Sequence, residues 1–244
     1  MNLLLVDDAD LIGEGVARIG GRRLEHVRKV LGAGVGERLR VGRVDGLVGE
    51  GTIVAVDGEA MEVRFEVDAP PPAPLPVTLV FALPRPPSLR KVLQQATALG
   101  VKRFVAIGSA RVERSFWGSS ALRPAALREE MILGLEQARD TALPSFESWP
   151  RLGEFMRERW PALRAAGRPL LADAGDEVTC PCGHDGSELV LVVGPEGGFI
   201  DREIAGWLDA GCELVRLGPR TLRVETAVVA LLGRMIGPTA PAAG

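Results

Sequence analysis

Five short apolar runs alternate with longer amphipathic segments through the last two thirds of the chain. The apolar runs predict buried strands at residues 77–83, 104–107, 169–172, 189–193 and 214–217. The amphipathic segments predict helices at residues 88–99, 124–138, 152–165, 201–210 and 226–236. Alternation of strand and helix is typical of an α/β fold, so we expect a mainly parallel sheet.

A proline-rich segment, PPPAPLP at residues 70–76, precedes this region. Proline fixes φ and lacks an N–H donor, so the segment favours an extended spacer. Upstream of it, alternating segments at 38–44, 51–56 and 61–67 are separated by Asp45-Gly46 and Asp57-Gly58, which are typical hairpin turns. We therefore predict a small β-barrel or sheet domain over 1–70 and an α/β domain over 76–244.

Composition narrows the class of protein. Of the 244 residues, 46% are hydrophobic and 25% charged, which excludes a wholly disordered chain. The formal charge of −3 argues against a uniformly basic nucleic-acid binder. We read no membrane span and no signal peptide, because the apolar runs are too short. Three cysteines, an odd number, favour the reducing cytoplasm.

Two glycine-bearing loops follow predicted strands and carry the strongest functional signal. The first is GPEGG, comprising Gly194, Pro195, Glu196, Gly197 and Gly198. The second runs from Leu217 through Gly218, Arg220, Leu222 and Arg223 to Glu225. Loops at the carboxyl ends of strands in one parallel sheet lie at the same edge, where α/β proteins bind ligands.

Simpler readings of these loops stay open. The first can be a tight turn without a ligand, and the arginines of the second can be solvated or paired with Glu225. Neither G-x-G-x-x-G nor a P-loop is present, so dinucleotide and nucleoside triphosphate binding lack their usual phosphate cradle.

Together, GPEGGF and LGPRTLRVETA resemble the C-terminal signature of the 16S rRNA uridine-N3 methyltransferases of the RsmE type, within the SPOUT superfamily. The resemblance extends upstream to Lys91 with the ALGV motif at 98–101, to Glu113-Arg114-Ser115 and to Glu136-Gln137. It reaches the N-terminal region at His26, Val30-Leu31 and Gly36-Glu37. The chain departs from the family pattern at Gly32, Thr97 and Arg139-Asp140.

The resemblance implies a PUA-like β-barrel domain followed by a SPOUT domain with a C-terminal trefoil knot, acting as a homodimer. It implies S-adenosylmethionine as cofactor, held largely through the backbone of the two loops, and 16S rRNA of the small ribosomal subunit as partner. Methyl transfer to uridine N3 needs a base, because N3 is protonated at neutral pH, and no metal. Glu225 or Glu196 are candidates for that base, and Arg223 or Arg220 for stabilising charge on the uracil oxygens. Of these, we place Arg223 and Glu225 at the reacting base and expect Glu196 to fix the glycine loop.

Two stretches of the acidic chain carry excess positive charge. Residues 18–43 contain eight basic and two acidic residues, and residues 85–128 contain nine basic and one acidic residue. Such stretches suit docking on RNA phosphates, although a solvated surface is the simpler reading. We take Arg22, Arg23, Arg28, Lys91 and Arg114 as candidate RNA contacts.

The cysteine-rich segment Cys180-Pro-Cys182-Gly-His184 lacks a clear fourth ligand, so loop thiols are favoured over a zinc site. Two further functions remain open. The chain can be a SPOUT methyltransferase with another base or a ribose target, or a non-catalytic knotted RNA-binding module.

Overall fold

The computed structural model of the chain describes residues 2–237. They form two compact units. The first comprises residues 2–73 together with Met131–Leu143, and the second comprises Pro74–Glu130 together with residues 144–237.

The first unit is built on a six-stranded sheet. Its strands are β1 (Leu4–Val6), β2 (Leu11–Gly13), β3 (Val16–Gly20), β4 (Arg38–Arg43), β5 (Val48–Val56) and β6 (Ala60–Ala69). They are ordered β1-β4-β5-β6-β3-β2, with β1 parallel to β4 and every other pair antiparallel. Helix α1 (Gly21–His26) continues into a π-helical turn at Val27–Leu31. Alternate strand residues such as Ile19, Val41 and Val63 form the apolar core.

The second unit is an α/β structure on a fully parallel sheet. Its strands are β7 (Val77–Ala82), β8 (Arg103–Ile107), β9 (Ser145–Trp149), β10 (Arg168–Ala172), β11 (Leu189–Val193) and β12 (Glu213–Val215). They are ordered β12-β10-β11-β7-β8-β9. The predicted mixed α/β fold with a mainly parallel sheet is confirmed.

Helices connect these strands. They are α2 (Pro86–Ala98), α3 (Pro124–Ala138), α4 (Leu152–Glu158), α5 (Trp160–Ala166), α6 (Asp201–Asp209) and α7 (Val224–Met235). Aromatic side chains join three of them on the sheet, where the ring centroids of Trp160 and Trp207 are 5.0 Å apart and those of Phe155 and Trp160 are 6.1 Å apart. Helices α2 and α7 contact each other.

Two details differ from the sequence-based expectation. The single helix predicted over 152–165 is wrong, because it is interrupted at Arg159 and restarts with Pro161 in the first turn of α5. Proline has no N–H to continue the hydrogen-bond ladder of the preceding helix. The edge strand β9 was not predicted at all.

The segment Met131–Leu143, expected in the second domain, belongs to the first unit. Leu135 is fully buried beside Leu3 and Leu5. The carboxylate of Glu136, also buried, accepts two hydrogen bonds from the guanidinium of Arg22 at 2.8 and 2.9 Å. The sequence gives no local sign of these contacts, since the partners are more than 100 residues apart.

Candidate functional site

A cavity opens at the carboxyl ends of three neighbouring parallel strands of the second unit. The ends of β10, β11 and β12 contribute Ala172, Val193 and Val215 to its wall. The space measures about 690 Å³, including the part open to solvent.

Both predicted loops meet at this cavity. From the first loop, Gly194 and Gly198 line it, as does Phe199 just beyond. From the second, the lining residues are Leu217, Gly218, Arg220, Thr221 and Leu222. Helix α7 closes the wall with Ala227 and Leu231. The two loops therefore form one site, as their places after strands of one sheet predicted.

The first loop is shaped by a close approach between Gly194 and Phe199. A Cβ at position 194 would lie 3.2 Å from the ring and from the backbone nitrogen of Phe199. The ring of Phe199 is itself held by Trp207 of α6, with centroids 5.9 Å apart. Glycine at 194 thus lets the strand turn directly against the aromatic core.

Contacts outside the cavity fix the rest of this loop. The N–H of Gly198 donates to the carbonyl of Pro195 at 2.8 Å, closing a turn in which Gly198 has φ of +72°. The carbonyl of Gly197 accepts a hydrogen bond from Arg111. The carboxylate of Glu196 accepts one from the backbone N–H of Arg85 at 3.2 Å. Pro195, Glu196 and Gly197 are not among the residues that line the cavity.

The second loop presents its backbone. The N–H groups of Arg220, Thr221, Leu222 and Arg223 donate no hydrogen bond to any other residue that the structure describes. Gly218 has φ of +103°, a conformation that residues with a side chain rarely adopt. An exposed stretch of free donors at the end of a strand is suited to a ligand bound through the backbone.

Three candidate catalytic residues occupy different places. Arg220 is exposed and lines the cavity, whereas Arg223 is exposed just outside it as the residue before α7. Glu225 is buried, with 7% of its side chain exposed, and its Oε1 lies 3.4 Å from the Nζ of Lys91 in α2. It is not among the cavity-lining residues. The structure thus brings Arg220 to the cavity and sets Glu225 against α2.

The environment keeps Glu225 ionised. Burial raises the pKa of its carboxyl, but hydrogen bonds from its own backbone N–H, from the Ser88 hydroxyl and from Lys91 outweigh burial, so the pKa lies below its ordinary value. Its Oε2 is buried without a hydrogen-bond partner among the described residues. A carboxylate with a lowered pKa is a weaker proton acceptor than an ordinary one.

Sequence reasoning missed several lining residues, of which Asp173 is the chemically notable one. It follows β10 directly, and it is the one acidic side chain among the residues that line the cavity. Its N–H donates to the carbonyl of Val215 at 3.1 Å, which joins the ends of β10 and β12. The sequence signal that could have identified Asp173 is its position directly after a predicted strand of the same sheet.

The candidate RNA contacts also differ in their surroundings. Arg23 is engaged by both carboxylate oxygens of Asp10 and by the carbonyl of Leu5, each at 2.7 Å, and Arg22 is paired with Glu136. Lys91 faces Glu225. Arg28 and Arg114 are exposed and form no ion pair with another described residue.

No cluster of three or more metal-ligating side chains is found within residues 2–237. Cys180 is buried, and Cys182 is exposed. Among the same residues, no helix has both the length and the apolar character that crossing a bilayer requires.

The geometry defines an α/β protein with a loop-lined ligand cavity at the carboxyl edge of a parallel sheet. The profile of the RNA methyltransferase domain family matches residues 71–236. The chain belongs to this family, and the resemblance drawn from the two loop motifs is confirmed.

Similar proteins are consistent with this assignment. A Treponema pallidum protein named ribosomal RNA small subunit methyltransferase E is 27% identical over 94% of this chain and 88% of its own length. A Mycobacterium bovis protein of the same name is 33% identical over 67% of this chain and 63% of its own length. A methyltransferase structure from Legionella pneumophila with bound S-adenosylmethionine shares the fold, with a TM-score of 0.71 and 23% identity over 95% of both chains.

Proposed function

We propose that this protein transfers a methyl group from S-adenosylmethionine to N3 of a uridine in 16S rRNA of the small ribosomal subunit. The observation that carries the proposal is the meeting of the two signature loops around one cavity at the ends of β10, β11 and β12. An rRNA substrate places the reaction in the cytoplasm.

The residues present fit this cofactor. Apolar side chains of Val193, Leu222 and Leu231 offer a wall for an adenine ring, and the free N–H groups at 220–223 offer donors for its polar edge. Asp173 supplies a negative charge that complements a sulfonium. When bound, S-adenosylmethionine provides an electrophilic methyl group for in-line displacement.

The chain's own part in the reaction is to orient the uridine and to stabilise developing charge. Arg220 lines the cavity and Arg223 lies beside it, so both can neutralise charge on the uracil oxygens as N3 loses its proton to solvent water. Arg28 and Arg114 offer cations for phosphate contacts, which position an RNA without reading its bases.

The finer architecture implied by the family resemblance forms part of the same proposal. It comprises a PUA-like barrel built on the sheet of the first unit, a trefoil knot at the C-terminal loops and a homodimer. Helix α7 buries Val228, Leu231, Leu232 and Met235 within the chain, whereas Val229 and Ala230 are only half-buried. Sedimentation at micromolar concentration tests the dimer.

Two measurements test the function. We expect calorimetry to show binding of S-adenosylmethionine and of its demethylated product. If neither binds, the protein is a non-catalytic RNA-binding module. We expect mass spectrometry of 16S rRNA from cells lacking the protein to show loss of one N3-methyluridine. Loss of a ribose methyl group with base methylation unchanged would point instead to a SPOUT enzyme with a different target.

A further inference from the structure

One carboxylate from the first cofactor loop and one from the first turn of α7, directly after the second loop, contact the same helix. Glu196 of the first loop accepts a hydrogen bond from the backbone N–H of Arg85, the N-cap residue of α2. Glu225, which follows the second loop, contacts Lys91 about one and a half turns into α2. All of these groups belong to the second unit. Helix α2 is therefore a common support for both sides of the cavity.

The start of α2 is built to receive a carboxylate from outside the helix. Arg85 makes no side-chain cap, and Pro86 and Pro87 remove the first two N–H donors of the helix. In a capping box the N–H of the N-cap residue is bound by the side chain of the third helical residue. Here that residue is Ser88, whose hydroxyl accepts from Arg85 Nε at 3.4 Å, and Glu196 takes the place of the missing acceptor.

Glu225 faces α2 and not the cavity. Ala227 and Leu231, one helical turn apart on α7, line the cavity. Glu225 precedes Ala227 by two residues, which places it about 200° around the helix axis. Its carboxylate is buried against Lys91 and Ser88. A base acting on a substrate proton must come within hydrogen-bonding reach of it, and this carboxylate is directed elsewhere.

We propose that Glu196 and Glu225 are positioning residues that anchor the two cofactor loops to α2, and that neither removes the uridine proton. The proposal rests on the proposed function. Small displacements of loops that hold a reactant weaken its binding and misalign it with the reacting atom. Two contacts with one rigid helix therefore hold both walls of the cavity in a fixed relative position. Glutamine at either position keeps the shape of the side chain but loses the charge-assisted interaction.

The test compares cofactor binding with the chemical step in the full-length protein. For Glu196→Gln and Glu225→Gln separately, we expect calorimetry to show an S-adenosylmethionine Kd raised by roughly 5- to 30-fold, because a neutral amide oxygen accepts the same hydrogen bonds more weakly than a carboxylate. At saturating cofactor and RNA, the single-turnover rate should stay within about threefold of the unmodified protein, and its pH dependence should keep the same shape.

Glu130→Gln is the matched control. Glu130 of α3 also contacts α2, through Arg90 and Gln94, but it belongs to neither cofactor loop. Its substitution should leave the Kd within about twofold of the original value. Lys91→Gln provides a second test that leaves both carboxylates in place, and it should raise the Kd in the same direction as Glu225→Gln.

The opposite pattern would overturn the proposal. If Glu225→Gln keeps the Kd but lowers the single-turnover rate by about 10²-fold or more and removes one limb of the pH profile, Glu225 is the base. An unchanged Kd with unchanged rate would also exclude an anchoring role. Failure of the unmodified protein to bind S-adenosylmethionine would contradict the proposed function itself, and a folding defect would appear as a lowered Tm in the same variants.

Discussion

At the scale of single residues, tertiary partners decide what a charged or reactive side chain can do. Arg23 and Arg28 are five positions apart and equivalent by sequence, yet Arg23 is held by Asp10 and by the carbonyl of Leu5, while Arg28 is exposed without an ion pair among the described residues. Sequence reasoning treated both as RNA contacts because local charge cannot report a partner that folding supplies.

The three cysteines provide a prediction at this scale. Cys182 is exposed, whereas burial raises the pKa of Cys180 and raises the pKa of Cys212 to about 12. Because the thiolate is the nucleophile, we expect one fast-reacting thiol with iodoacetamide at pH 8 and two slow ones. Peptide mass spectrometry should place the fast adduct on Cys182.

Cys182→Ser serves as the control for that assignment. It should abolish the fast phase and leave the slow phases unchanged. Equal labelling of all three cysteines in the folded protein would contradict the burial of Cys180 and Cys212.

At the scale of elements, the sequence predicted the buried strands of the parallel sheet well and its exposed edge strand poorly. Strand β11 was predicted at its observed bounds and helix α3 likewise, because a run of fully buried Val and Leu residues and a long segment rich in Ala, Leu and Glu that begins at a proline are strong local signals. Strand β9, with Ser145, Glu147 and Ser148, is half-exposed at the edge of the sheet and gives no such signal. Strands β1 and β3 are short and pair with the distant strands β4 and β6, whereas the three-residue strand β2 pairs only with its neighbour β3.

The sequence predicted the two loops of the candidate site but not the other residues that line it. The two loops were recognised because glycine-rich turns after buried strands are visible in sequence, and the parallel sheet then brings them to one edge. Which face of α7 looks into the cavity was not predictable, because it depends on how α7 packs against α2. Asp173 was missed because a single aspartate after a strand has no distinguishing pattern.

The loop between β12 and α7 provides a prediction at the element scale. Gly218 lines the cavity with φ of +103°, so alanine there is strained by about 1–3 kcal/mol. We expect Gly218→Ala to weaken S-adenosylmethionine binding by about 5-fold or more in calorimetry, because the loop must shift to relieve the strain.

Gly206→Ala is the matched control. Gly206 lies inside α6, is exposed, and has no atom within 4 Å of an added Cβ. Alanine there should stabilise the helix by about 0.5–1 kcal/mol and leave cofactor affinity unchanged. Equal effects of the two substitutions on binding would show that the conformation of Gly218 is unimportant.

At the scale of the whole molecule, folding neutralises much of the positive charge that the sequence concentrates. In the stretch 18–43, ion pairs with acidic residues engage six of the eight cations, namely Arg18, Arg22, Arg23, Lys29, Arg38 and Arg43. In the stretch 85–128, Arg90, Lys91 and Arg103 are similarly paired. A chain with a formal charge of −3 therefore offers fewer cations to a polyanion than a count along the sequence indicates.

RNA binding by the intact protein should depend on the few cations that folding leaves available. Each phosphate contact that is lost reduces the slope of log affinity against log salt by roughly 0.7–0.9. We expect Arg28→Gln and Arg114→Gln each to reduce this slope by that amount for a 16S rRNA fragment in filter-binding titrations between about 50 and 200 mM salt. Arg157→Gln, an exposed cation of α4 outside both basic stretches, should leave the slope unchanged. Equal slopes for all three variants would mean that neither Arg28 nor Arg114 contacts a phosphate.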